Sequence, residues 1–249
     1  MCPKPRSVVV ATAVLMLLFV AAPVLAHGSD EHEDDGDGVG ALLDEAYQLK
    51  KVDPQVALLG FKDAQLAKII GRDGSALGSV SLGKPNGGAL LNGVSMPESS
   101  RWQIVDPVRA FGTVETVAFL QTAINAVHEQ FPKGTHPMFI GHLSRQKGGR
   151  LWPHRSHQSG RDVDLGYYYK PEYAEWYRPA TALTIDRARS WAFVKALITR
   201  TDVEYIFIST RVQKILKDYA ISVGEDRQWL DSIFEFRSRN PEPIIRHTY

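Results

Sequence analysis

The chain has 249 residues, of which 44% are hydrophobic, 23% charged and 10% aromatic. That balance excludes a disordered chain, a collagen-like repeat and a multi-pass membrane protein, and the length suits one globular domain with a tail. Lys+Arg number 29 against 28 Asp+Glu, so no basic excess argues for nucleic acid, and the single cysteine, Cys2, excludes an intrachain disulfide or a Cys-rich zinc module.

Residues 1–26 carry the marks of a secretory signal peptide. Lys4 and Arg6 precede an apolar run over 8–20, and Val24-Leu25-Ala26 places small residues where a signal peptidase reads. The run is short for a membrane-spanning helix, which needs about 20 apolar residues. Cleavage, an exported location and no stable membrane insertion afterwards are therefore expected. Cys2 precedes the run and so is not a lipoprotein cysteine. Residues 27–40, HGSDEHEDDGDGVG, form an acidic leader with no core-forming pattern, in which His27 and His32 are at most loose metal donors.

Residues 41–51 have helical character, and the rest of 41–78 is weakly patterned and carries no legible chemistry. From Ser81 the text SLGKPNGGALLNGVSMP places turn signals around a short apolar run, which predicts a hairpin or strand-loop. Residues 113–131 predict the clearest helix. Thr113 can cap it, Val117, Leu120, Ile124, Val127 and Phe131 form one apolar stripe, and Pro132 ends it. Strands are expected over 137–143, 161–169 and 203–209, and helices over 186–199, 210–221 and 227–234. Another extended piece begins at Pro243. Without a regular βαβ alternation, this predicts an α+β fold: an antiparallel core sheet with flanking helices, as a single catalytic domain over 79–249.

One segment stands out for its chemistry: His154-Arg-Ser-His157-Gln-Ser-Gly160-Arg-Asp162-Val-Asp164. Imidazole and carboxylate are the ligands a catalytic zinc uses, with one position left open for water. A loop delivers His157, Gly160 turns the chain, and a strand aims a carboxylate back. On that strand Asp162, Asp164 and Gly166 share one face, while Val163, Leu165 and Tyr167 share the other. A metal is one partner for a carboxylate flanked by apolar residues; a salt bridge to Arg155 or Arg161 is the other. A His–Asp base serving Ser156 or Ser159 is a further reading, but neither serine lies in a Gly-x-Ser-x-Gly turn.

HRSHQSGRDVDLGYYY, together with SLGKPNGGALLNGVSMP and GGRLWPH, resembles the penicillin-insensitive murein endopeptidases from about Ser79 to the end of the chain. These are zinc peptidases related to the lysostaphin-type and D-alanyl-D-alanine metallopeptidases. The resemblance implies a periplasmic Zn2+ hydrolase of the D-alanyl–meso-diaminopimelyl cross-links of peptidoglycan. A D,D-carboxypeptidase on the same scaffold is an alternative, as is an exported murein-binding protein without turnover. It also implies that His157 and Asp164 are zinc ligands, that His154 stands close to the metal, and that Gly160 and Asp162 shape the loop. The family closes its site with a His-x-x-His-x-His strand after a segment like Pro243-Ile-Ile-Arg-His247. This sequence stops at Tyr249, so a truncated chain is expected, with His247 the one residue there able to stand in as a catalytic group.

Other residues have weaker claims. His142 ends the PMFIGHL strand where the family often has an acidic residue, and it reads as structural. His128 reads as exposed, and His136 has no functional argument. Tyr167, Tyr168 and Tyr169 fit either a peptide groove or the core. Trp102 and Trp152 fit either substrate contact or packing, and Asn86-Gly87-Gly88 fits either a cleft segment or plain hairpin chemistry.

Overall fold

The computed structural model describes residues 16–20, 38–52, 61–237 and 240–247. The leader histidines His27 and His32, the residues read as the charged start and cleavage site of an expected signal peptide, and Thr248-Tyr249 lie outside the described residues. Six helices are described: α1 (Gly38–Val52), α2 (Asp63–Asp73), α3 (Val114–Gln130), α4 (Arg187–Arg200), α5 (Thr210–Ser222) and α6 (Arg227–Ile233). The strands are β1 (Met16–Val20), β2 (Val80–Lys84), β3 (Gly87–Leu91), β4 (Val94–Ser95), β5 (Trp102–Ile104), β6 (Phe111–Gly112), β7 (Met138–Ile140), β8 (Asp162–Leu165), β9 (Val203–Phe207) and β10 (Ile245–Arg246). Among the described residues, no helix is long and apolar enough to cross a membrane.

The class is mixed α+β, as the sequence predicts, but the sheet is more mixed than expected. Its order is β10-β9-β1-β8-β7-β5. The centre is antiparallel, while both outer pairs, β10 with β9 and β5 with β7, run parallel. The apolar segment MLLFV, which the sequence reading sets outside the fold, forms β1 between β8 and β9. Each of those strands otherwise presents an open row of backbone donors and acceptors there, and a short apolar segment satisfies both.

The helices form because their apolar spacing matches one core face. In α3, Val117, Leu120, Ile124 and Val127 are buried as predicted, with Phe131 packed at the end. Thr113 caps this helix: its Oγ1 accepts from Thr116 N at 3.1 Å and pairs with Thr116 Oγ1 at 2.9 Å. Thr113→Ala is expected to lower stability by about 1–2 kcal/mol, read as a fall of several degrees in the thermal midpoint. Arg189 ties the exit of α3 to α4, donating to Asp186, Thr135 and the Lys133 carbonyl. Asp186 caps α4, and Asp226 caps α6.

Residues 41–51, read as helical, lie in α1; the weakly patterned stretch after them contains α2, and the two helices share a small core of Ala46, Phe61, Leu66, Ile69, Ala76, Leu77 and Val80. The Asn92 amide donates to the carbonyls of Gly74, Leu77 and Gly78, fixing this unit to the hairpin that follows. That hairpin, β2 with β3, is the predicted one. It presses on the loop that carries the site: Gln158 N donates to Pro85 O and Leu90 N to Lys147 O. Gly148 at φ +65 makes the close approach possible, since a Cβ there would sit 2.2 Å from the Gln158 carbonyl.

Candidate metal and active site

Strand β8 carries Asp162 and Asp164 on one face and Val163 and Leu165 on the other, as the alternation predicts. All four are buried. The Asp164 backbone is locked to β7's exit: Gly141 N donates to its carbonyl at 2.8 Å, and its own N–H donates to His142 O at 2.9 Å. Two carboxylates on a buried strand need partners, and each finds imidazole.

His157 lies between them. Its Nε2 meets Asp164 Oδ1 at 3.0 Å and its Nδ1 meets Asp162 Oδ2 at 3.0 Å. The His157 backbone N–H also donates to Asp162 Oδ2 at 2.9 Å, and the residue adopts φ +63. A left-handed backbone is costly for a side chain of this kind, and Asp162 holds it there. Asp162 therefore shapes the loop, with its other oxygen, Oδ1, buried and without a hydrogen-bond partner. Gly160 at φ +71 supplies the expected turn.

On the other oxygen of Asp164 the structure gathers two more histidines. His154 Nδ1 lies 3.8 Å and His142 Nδ1 4.0 Å from Asp164 Oδ2. The two rings share a 2.8 Å hydrogen bond, His142 Nδ1 to His154 Nε2. One donor atom each from His142, His154 and Asp164 falls within 4.8 Å of the others, the spacing of groups able to hold one metal ion. His142 thus belongs to the site, where the sequence alone reads it as structural.

The network continues outward. His142 Nε2 lies 3.7 Å from Asp106 Oδ2, and the same oxygen pairs with Arg109 Nε at 3.3 Å. Side-chain exposure falls along this line from 31% at Arg109 to 0% at Asp162. The outer groups face solvent, and the inner ones are sealed. Burial lowers the pKa of both His142 and His154. These rings are neutral at pH 7, the form that binds a metal or takes a proton. At His157 burial acts in the same direction, but hydrogen bonds donated to the Asp162 and Asp164 carboxylates outweigh it and raise the pKa to about 10.

The structure does not bring His247 to this cluster. It follows β10, at the far edge of the sheet, with β9 and β1 between it and β8. Three strand spacings make about 14 Å. By register, Arg246 aligns with Phe207, Leu17 and Asp164. His247 Nδ1 instead accepts from Thr210 N at 3.3 Å, at the start of α5.

The weaker candidates separate cleanly. Tyr167, Tyr168 and Tyr169 are all core. Trp102 is buried, its indole donating to Pro97 O. Trp152 is 72% exposed, two residues before His154. His128 is not simply exposed: its ring meets Tyr168 edge-on, and its shielded Nε2 has no hydrogen-bond partner. His136 is structural, its Nε2 accepting from Tyr169 N at 2.9 Å. Gly88 packs against Ser159, and Asn86-Gly87-Gly88 thereby supports the loop beneath the site. Sequence reasoning passed over Asp106, Arg109 and Trp176. No motif marks them, and they reach the site only through the pairing of β5 with β7 and a close approach at Gly141.

A family model described as penicillin-insensitive murein endopeptidase matches residues 81–241. That span includes every residue of the network from Asp106 to Asp164. A comparison with curated proteins finds no match.

Proposed function

The chain belongs to the penicillin-insensitive murein endopeptidase family, and from that premise we propose that it is an exported, metal-dependent peptidase opening the D-alanyl–meso-diaminopimelyl cross-links of peptidoglycan. One observation carries the metal: a buried carboxylate, Asp164, with ring nitrogens of three histidines within 4.0 Å of it. Imidazole and carboxylate are the donors of catalytic zinc, and these residues fit such an ion. His157 and Asp164 would hold it. When bound, it supplies Lewis acidity to the scissile carbonyl and makes water a usable nucleophile near neutral pH.

The chain's own residues do the rest. His154, half-buried and neutral, accepts the water proton and passes it to the leaving amine. Asp162 fixes the His157 ring through Nδ1, the carboxylate support that metal-bound histidines usually have. Trp152 stands exposed two residues before His154, and the Trp176 ring packs against Gly141, which also borders Asp164. No serine is acylated in this scheme, which accounts for insensitivity to penicillin. The apolar segment at 8–20 supports export, since the substrate lies outside the cytoplasm.

The test is purified protein incubated with cross-linked muropeptide dimers, with and without chelator. Conversion to monomers that chelator abolishes is expected; conversion that chelator leaves untouched refutes the metal. Release of free D-alanine from pentapeptide monomers, with dimers intact, would make it a carboxypeptidase. Binding to sacculi without any change in them would make it non-catalytic. His154→Ala is expected to lower the rate by about 10²–10⁴-fold while changing metal content far less.

Gly141→Ala probes the wall of the site. A Cβ there would meet the Trp176 ring at 2.5 Å and Asp164 Cβ at 3.0 Å. Overpacking of this kind costs about 1–3 kcal/mol, and a 1 Å misplacement of a reacting group costs about 10²-fold in rate. Dimer cleavage should fall by about that factor, with the fold retained on circular dichroism.

A further inference from the structure

We infer that the loop between His142 and His154, with Arg155 just after it, is a carboxylate-recognition surface, and that Arg155 receives the free carboxylate beside the scissile bond. The inference rests on the peptidase reading above and deepens it by naming the part of the substrate that the chain grips.

The positive charge is local. Lys+Arg and Asp+Glu balance over the whole chain at 29 and 28, yet residues 131–161 contain no Asp or Glu. Arg145, Lys147, Arg150 and Arg155 fall within that stretch, and all four are exposed. Other cations find partners: Arg109 pairs with Asp106, Arg189 with Asp186 and Lys195 with Glu225. Among the described residues, none of the four loop cations has an ion pair or a side-chain hydrogen bond. Like charges gathered without an acid repel one another, and an anionic ligand relieves that repulsion.

The loop is fastened at the site and held still. Its ends meet where His142 Nδ1 and His154 Nε2 share their 2.8 Å hydrogen bond. Between them Leu151 is fully buried, Leu90 N donates to Lys147 O at 3.0 Å, and Gly149 N donates to Gln158 O at 2.8 Å. Gly148 N closes a turn on Arg145 O at 2.8 Å. Arg155 lies between His154 and His157, its Cα one peptide step, about 3.8 Å, from that of His154. Its backbone is tied down as well, since Gln158 Nε2 donates to Arg155 O at 3.1 Å. Cations on a fixed backbone lose little freedom when a ligand binds.

The substrate has the complementary chemistry. In a D-alanyl–meso-diaminopimelyl cross-link, the carbon that bears the linked nitrogen also bears a free carboxylate. A group that recognises it must therefore stand beside the residues that act on the bond, and Arg155 is the unpaired cation at that place. A guanidinium offers a carboxylate two parallel N–H donors, which also fixes its orientation. Arg145, Lys147 and Arg150 lie further round the loop, and their field draws anionic stem peptides to the cleft.

The test gives the full chain, loaded with zinc, two muropeptide dimers: one with the carboxyl beside the scissile bond free, one with it amidated. Wild-type protein is expected to prefer the free carboxylate by about tenfold or more in kcat/KM. Arg155→Gln is expected to bring that ratio close to one, through a higher KM on the free-carboxylate dimer, and Arg155→Lys to keep part of it. Zinc per chain should match wild type in both variants, which a disturbed metal site would not allow. Arg150→Gln should flatten the salt dependence of kcat/KM and keep the ratio. Equal cleavage of both dimers by wild type, or a full ratio in Arg155→Gln, overturns the inference and leaves the peptidase standing. Should the Gln variant not fold, the wild-type ratio and the Lys variant decide. Protein that cuts neither dimer, yet binds the free-carboxylate one more tightly through Arg155, overturns the peptidase and supports the inference. No cleavage and equal binding overturn both. Equal cleavage together with binding to phosphatidylglycerol vesicles, lost in Arg150→Gln, overturns the inference and makes the loop a membrane-attachment surface.

Discussion

Replacing Asp164 by Ala is expected to reduce murein cleavage by about 10³-fold or more and to empty the protein of zinc, with the fold retained. The backbone of Asp164 is held by Gly141 and His142, just after β7, through two hydrogen bonds that do not involve its side chain, so the sheet survives the change. The carboxylate is another matter. Oδ1 takes His157 and Oδ2 faces His142 and His154, so every imidazole of the site loses its common partner at once. Lewis-acid stabilisation is worth several kcal/mol, and each 1.4 kcal/mol is a factor of ten. His157 keeps Asp162, which limits the loss of stability. Asp164→Asn keeps the shape and removes the charge, and it should lose metal nearly as completely. The measurements are zinc per chain and conversion of dimers to monomers. Retention of both by either variant would place the active centre elsewhere.

The parts of this site legible in the sequence are the ones that lie close together in the chain. His154, His157, Asp162 and Asp164 fall within eleven residues, and period-two alternation says which carboxylates share a face. Gly160 announces its turn by composition alone. His142 was readable as a residue at the end of a strand, but not as a partner of His154. Their 2.8 Å contact depends on β7 pairing with β8 and on the loop between them folding back. Asp106 lies farther still from that segment, brought in by the parallel pairing of β5 with β7. The helices were legible because their core is one-sided: α3 buries the residues its spacing nominates. Strand β5 was missed, since three residues are too few to show alternation. Helix α2 was missed because only Leu66 and Ile69 are buried along it, too short a stripe to read. His247 looked available because the sequence shows chemistry but not sheet order. Pairing with β9 instead carries it to the far edge.

The metal-free protein should be most stable near pH 6.5 and lose stability on both sides, for two opposite reasons within one cluster. His157 has its pKa raised to about 10 because Asp162 and Asp164 outweigh the effect of burial. In the unfolded chain it returns to about 6.5. A group whose folded pKa lies above its unfolded value stabilises fully below the unfolded pKa, and that contribution is lost as pH rises through the folded one. Stability therefore falls between about pH 6.5 and pH 10, by a few kcal/mol. His142, His154 and His128 run the other way. Burial lowers their pKa values, so below about pH 6.5 the unfolded chain takes protons that the folded one refuses, and stability falls with acid. The buried tyrosines add an alkaline loss only above about pH 10, since their hydroxyls are held neutral by burial. Denaturant midpoints at pH 5 to 10 in chelator should thus trace a dome. His157→Gln should flatten its limb between pH 6.5 and 10 and leave the acid limb in place. Zinc competes with the His157 proton, so its affinity rises with pH and its stabilisation grows where the proton's is lost. In saturating zinc the alkaline limb of the wild-type protein should therefore level out. An alkaline limb of equal slope in wild type and His157→Gln would show that His157 is neutral in the folded protein.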